Sequence, residues 1–233
     1  MTNDAPPLSL LLGEMWAVRD WALARFRPQP IAADVVGNDA PVITLPGFMA
    51  GDIAMAQMRE SLRAAGFRAR GWQLGANLGA SHDTIERIHA RVNDVAQREG
   101  RSVHLVGWSL GGVFAREYAK RHPEMVASVV SMGSPFSGSR KANNAWRLYG
   151  IVAGHSVEDT PIEFHPADKP DVPTYALWSK KDGVIAAASA CGLPHESDRS
   201  MELECGHMAF AYAPESVRAV IECLLEAEAA RGR

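Results

Sequence analysis

Three cysteines in 233 residues are too few, and odd in number, to lay down a disulfide framework. Cys191 and Cys205 flank the loop that ends at His207 and could bridge it, but in a reducing compartment they read as free thiols. Cys223 falls on the apolar face of the last helical segment and is read as core. The chain also lacks a basic stripe or an acidic tail. Its 24 Lys and Arg are scattered among 27 Asp and Glu, for a formal net charge of −3, which argues against nucleic acid as a partner. No stretch approaches the ~18 uninterrupted apolar residues of a membrane span. The N-terminus, M-T-N-D-A-P-P-L-S-L-L-L-G-E-M-W, has no basic region ahead of its short apolar run and makes a poor secretory signal. These absences point to a soluble, cytoplasmic protein without stable membrane insertion, and leave homodimerisation open. There is no internal repeat and no low-complexity segment.

The composition, 47% hydrophobic and 22% charged, is that of an ordinary globular protein, and the length suits a single α/β domain spanning 1–233. Residues 8–26 set Leu8, Leu11, Leu12, Met15, Trp16, Leu23 and Phe26 near one helical face, with Glu14, Arg19, Asp20 and Arg25 largely off it. That face is read as packed on the domain, because the polar face is not rich enough in Lys and Arg for a membrane-surface anchor. After R-P-Q-P (27–30), strand-like and helix-like segments alternate. Strands are expected at 41–47, 66–72, 103–108, 125–133, 173–178 and 200–205. Helices are expected at 52–65, 83–99, 111–121 and 214–230. Several of the strands are apolar on both faces. This is the signature of a mostly parallel sheet with helices on both sides. Residues 137–171 break the rhythm and are read as a short cap or lid segment.

At 103–112 the chain reads V-H-L-V-G-W-S-L-G-G, fencing Ser109 between Gly107 and Gly111. G-x-S-x-G at a strand-to-helix junction is the pattern of a nucleophile elbow, where a strained backbone exposes the serine and glycines relieve the crowding around it. A serine hydroxyl is a weak nucleophile at neutral pH, so it needs a base, an orienting acid and donors for the oxyanion. His207 in E-C-G-H-M-A-F follows the last strand and is the preferred base. His195 and His165 are rivals, while His82, His89, His122 and His155 suit surface loops. Asp182 in S-K-K-D-G, with Gly183 letting the chain turn, is the preferred acid over Asp171, Asp168 and Asp198. The amide of Leu110 supplies one oxyanion donor. The turn L-P-G-F-M-A-G-D (45–52) supplies the second, with Phe48 ahead of Met49. Met49, Trp108, Phe136, Trp146 and Tyr149 are candidate pocket walls, each with an alternative place in the core. Asn77 is read either as a substrate contact or as a turn-stabilising side chain.

The order Ser, Asp, His is that of the α/β-hydrolase triad. Together with G-W-Q-L-G-A-N (71–77), M-G-S-P-F (132–136) and C-G-H-M (205–208), these motifs make the chain resemble α/β-hydrolases, and within them small bacterial esterases and lipases. The resemblance implies an α/β-hydrolase fold with a cap over the pocket, a small-molecule carboxyl-ester substrate and no cofactor. Two departures qualify it: Pro46 stands where many relatives have histidine, and the cap is short, which favours short- to medium-chain acyl esters. Thioesterase, amidase or acyltransferase chemistry on the same triad, and a non-catalytic binding protein of this fold, are the alternatives. Asp-nucleophile chemistries are disfavoured because the elbow carries serine.

Overall fold

The computed structural model describes residues 5–7, 9–11, 14, 30–31, 37–138, 161 and 163–231. Strands β1 (Pro41–Leu45), β2 (Arg68–Gly71), β3 (Val103–Trp108), β4 (Val126–Met132), β5 (Thr174–Trp178) and β6 (Arg199–Glu202) form one six-stranded sheet in the order β2-β1-β3-β4-β5-β6. Every neighbouring pair is parallel. The helices between and after them are α1 (Ala56–Ala64), α2 (Thr84–Glu99), α3 (Leu110–Arg121), the short α4 (Ala187–Cys191) and α5 (Pro214–Arg231).

Both faces of the sheet are covered, which explains the unbroken apolar runs of β1, β3 and β4, whose residues are all buried. Met58 and Leu62 of α1 share one core with Val217, Val220 and Leu224 of α5. Ile85, Ile88, Val92 and Val95 of α2 share the opposite core with Phe114 and Tyr118 of α3. The α2 residues recur at helical spacing, and Gly100, at φ 67°, ends that helix in the left-handed conformation a side chain resists. Truncating one of these fully buried side chains, Leu62 for example, to alanine costs about 2–5 kcal/mol by the usual cavity scale.

The strand order reverses direction at β1 and β3: β2 lies on one side of β1, and the chain then crosses back to build the rest of the sheet on the other. In open α/β sheets, ligands bind at the carboxyl ends of strands flanking such a reversal. Leu45 at the end of β1 pairs with Gly107 near the end of β3. The L-P-G-F turn and the G-x-S-x-G elbow therefore emerge side by side.

The segments expected from the sequence form in place, with trimmed ends. The last strand stops at Glu202 rather than at Cys205. Of the expected N-terminal helix, residues 9–11 and 14 are described and helical. Within the 137–171 segment, residues 139–160 and 162 lie outside the described residues, and so do Trp146 and Tyr149.

Candidate active site

Ser109 sits between the end of β3 and the start of α3 with φ 55° and ψ −123°. A non-glycine residue held there carries strain on the order of 1–3 kcal/mol, so the surroundings must enforce it. They leave room for little else. A methyl group on Gly107 would lie 2.4 Å from Gly112, and one on Gly111 would lie 2.2 Å from the Leu45 carbonyl oxygen. A third glycine matters as well: a methyl on Gly112 would meet Ser134 Oγ at 2.1 Å. The Ser109 N–H donates to the Met132 carbonyl at 2.8 Å, tying the elbow to β4. Its hydroxyl has no hydrogen-bond partner among the described residues.

His207 and Asp182, 25 positions apart, meet in the interior. His207 Nδ1 lies 2.8 Å from Asp182 Oδ2, and both side chains are almost completely buried. The other Asp182 oxygen accepts the N–H groups of Val184 and Ile185, each at 2.8 Å, which fixes the carboxylate plane. Burial opposes a charge on the imidazole. The Asp182 carboxylate and its hydrogen bond outweigh that cost, with Glu14 adding to them, and hold His207 above the ordinary histidine range. The backbone of His207 is fixed too, since its carbonyl accepts the Trp108 indole N–H at 3.0 Å. The rivals are elsewhere: His195 is exposed in a turn, and His165 is exposed and pairs with Glu163. Among the other aspartates, Asp168 is exposed, and Asp198 accepts the Thr174 N–H while pairing with Lys169.

The turn after β1 presses directly on the elbow, for a methyl on Gly47 would lie 3.2 Å from Ser109 Cβ. Two polar residues, one buried and one half-buried, brace the chain there. Asn77, with no exposed surface, donates from Nδ2 to the Pro46 carbonyl at 2.8 Å and from its backbone N–H to the Ala50 carbonyl at 2.8 Å. Its own carbonyl accepts the Met49 N–H at 2.7 Å. Of its two sequence readings, the turn-stabilising one describes these contacts. They also commit the Met49 amide, the second-choice oxyanion donor, to another partner. Asp52 accepts the N–H groups of Trp72 and Gln73, each at 3.0 Å, and Gly71 leaves the space its carboxylate fills.

The candidate pocket residues fall in different places. Met49 is exposed, at φ 59°. Trp108 is buried against His207, with ring centroids 5.6 Å apart. Phe136 is buried beneath the Arg116 guanidinium, 4.0 Å from its ring centre. A cleft of about 500 Å³ next to the β1 turn is lined instead by residues including Trp72, Leu74, Asn77, Leu78, Thr84 and Phe114.

One sequence expectation needs correction. Glu14, placed among residues off the apolar face, is 6% exposed and points inward, where it accepts backbone N–H groups of the His207 loop. No local signal could have found it, because its partners lie 169 to 194 positions away. Gly183 is needed for close approach as much as for turning: a methyl there would lie 2.5 Å from the backbone of Leu10. Cys191, Cys205 and Cys223 are free thiols.

A family model described as the alpha/beta hydrolase fold matches residues 45–155. The solved structure of a monoacylglycerol lipase from Paleococcus ferrophilus superposes with a TM-score of 0.59 at 17% identity, covering 81% of this chain and 96% of that one. This chain has the α/β-hydrolase fold. Carboxylesterase CesB from Bacillus subtilis superposes on this hydrolase fold with a TM-score of 0.56 at 18% identity, covering 82% of this chain and 85% of the other. Naproxen esterase from the same organism does so with a TM-score of 0.52 at 17% identity and the same coverages. No curated protein matches the chain. Among the described residues, no helix is long and apolar enough to cross a membrane.

Proposed function

We propose that the protein is a serine carboxylester hydrolase acting on short- to medium-chain acyl esters through Ser109, His207 and Asp182. The observation that carries the reading is the buried His207–Asp182 pair, at 2.8 Å, on the same sheet edge as a serine held at φ 55°. His207 takes the Ser109 proton as the hydroxyl attacks the ester carbonyl, and Asp182 stabilises the imidazolium that forms. The Ser109 hydroxyl comes into hydrogen-bond contact with His207 as substrate seats, since catalytic contacts commonly form fully only in the complex.

The tetrahedral oxyanion is held by the amides of Leu110 and Phe48. Leu110 opens α3, where a first-turn N–H has no partner within the helix and the helix dipole favours negative charge. The Phe48 amide lies on the turn that abuts Ser109. His207 then protonates the leaving alcohol, activates water against the acyl-enzyme and returns the proton to Ser109. The chemistry needs no cofactor. Residues 137–171, read from the sequence as a cap segment in a single domain, are few, and that brevity favours small acyl groups. The neighbouring structures named as esterases and a lipase agree with this substrate class.

The test is a p-nitrophenyl ester series from acetate to palmitate beside a fluorophosphonate label mapped by mass spectrometry. Labelling at Ser109, fastest turnover at short chains, and loss of both in a folded Ser109→Ala variant are expected. Labelling without ester turnover would move the reading to thioesters or amides. Retained turnover in Ser109→Ala would overturn it.

A further inference from the structure

Glu14 is the one described acidic side chain of the N-terminal segment that reaches the centre of the molecule. Its Oε1 accepts the His207 N–H at 2.5 Å and the Gly183 N–H at 3.1 Å, and its Oε2 accepts the Met208 N–H at 3.1 Å. Gly183 follows Asp182, so a single carboxylate bridges the loop that carries the acid to the loop that carries the base. Room has been left for it: a methyl on Gly206 would lie 2.8 Å from Glu14 Oε1. A buried carboxylate is costly unless backbone donors satisfy it, and a surface helix has no need of one. Three donors drawn from the two loops meet that condition.

We propose that Glu14 is a positioning residue for His207: it locks the acid and base loops in mutual register and adds a second negative charge beside the imidazole. The inference rests on the Ser109–His207–Asp182 reading and extends the machinery to the N-terminal segment. With Glu14 below, Trp108 behind and Asp182 at Nδ1, the N–H, the carbonyl and the ring of His207 are each held by a different part of the chain.

The groups facing the imidazole can be named. Asp182 comes from the loop after β5 and Glu14 from the N-terminal segment, while Trp108 at the end of β3 does not titrate. Cys205, two residues before His207, stays a neutral thiol, since burial first, then the charges of Glu215, Asp182 and Glu14, push its pKa up. Both carboxylates therefore favour imidazolium, against burial. Removing the charge of Glu14 makes His207 easier to deprotonate. Because the base must be neutral to act, the acid limb of kcat/KM then moves to lower pH.

The experiment compares the full-length protein with Glu14→Gln, which keeps the shape and loses the charge, and Gly206→Ala, whose methyl displaces the carboxylate. Three readouts are taken: the pH profile of kcat/KM on p-nitrophenyl butyrate, the NMR titration of the His207 ring, and fluorophosphonate labelling at Ser109. In Glu14→Gln the acid limb and the ring titration should move down together by about half to one pH unit, the scale of one nearby charge. The optimum kcat/KM should fall about tenfold while Ser109 still labels. Gly206→Ala should shift both in the same direction by less. A folded Glu14→Gln with unmoved limb and ring titration, or loss of folding in both variants, would overturn the proposal and leave Glu14 a structural clamp. Wild-type protein that neither labels nor turns over ester would sink the hydrolase reading instead, while the ring titration would still decide the role of Glu14.

Discussion

The sheet carries two chains of serine, histidine and carboxylate, one at each end of β3. At its carboxyl end lie Ser109, His207 and Asp182. At its start, His104 Nδ1 lies 2.7 Å from Ser128 Oγ and its Nε2 lies 3.1 Å from Glu228 Oε1. The second chain is the better hydrogen-bonded of the two, yet it is sealed. His104 and Ser128 have no exposed surface, and Ser128 lies inside β4, paired across to His104. Ser128 has no strained turn, helix N-terminus or neighbouring turn amide to receive an oxyanion. The two serines thus differ in where they stand on their strands more than in the residue types near them.

The two histidines also differ electrostatically. Both are buried, but His207 faces two carboxylates within a wholly buried cluster and is held above the ordinary range. His104 is held below it, because burial outweighs its contact with Glu228. Glu228 is itself kept well below the usual carboxylate range, by its hydrogen bond from His104 and by Arg101, against the effect of burial. The sealed chain is accordingly read as neutral imidazole accepting from Ser128 O–H and donating to carboxylate, which satisfies every buried polar group.

This contrast can be broken in several places. The largest effect belongs to His207→Ala, which should lower kcat/KM by about 10⁴ in steady-state assays, the scale of a lost triad member. His104→Ala should act on stability instead. Leaving Ser128 buried without its partner, while Glu228 keeps Arg101, should cost about 1–3 kcal/mol in denaturant melts, with kcat/KM of the folded fraction unchanged. Equal activity losses in the two variants would erase the distinction. Asn77→Ala should come next: freeing the turn after β1 should lower kcat about tenfold or more and stability by about 1–3 kcal/mol, without abolishing Ser109 labelling.

The smallest effect is in pH dependence, and its sign follows from the directions of the shifts. Below about pH 6.5 an unfolded histidine takes up a proton that folded His104 resists, so stability falls as pH drops. Glu228 adds loss in the same direction at lower pH, as its folded carboxylate resists protonation. His207 acts oppositely: its stabilisation is complete below about pH 6.5 and is lost as pH rises through its folded value. Urea midpoints between pH 7 and 5 should therefore decline in the wild type and decline less in His104→Gln, by up to about 1.4 kcal/mol per pH unit for one proton. A slope unchanged by the substitution would show that His104 protonates as readily folded as unfolded.

Much of this protein is written locally. Apolar runs of strand length alternating with amphipathic helices specify a doubly covered parallel sheet, because each element must bury one face or both. G-x-S-x-G marks the elbow because only glycine fits against Gly112 and Leu45, and a strand-to-helix turn is a short-range event. The candidate acid and base could be named from their places after strands. The tertiary structure alone decided which polar residues support them. Glu14 looks like the solvent side of a helix until the chain folds its carboxylate onto amides nearly 200 positions away. Asn77 reads equally as a substrate contact or a turn residue until β1 and β2 set it beneath the 46–50 turn. His104, on the same strand as the elbow, becomes part of a sealed network through Glu228, 124 positions further on. Periodicity and motif spacing report what a residue's neighbours in sequence require, whereas burial of charge is settled by partners that only packing brings within 3 Å.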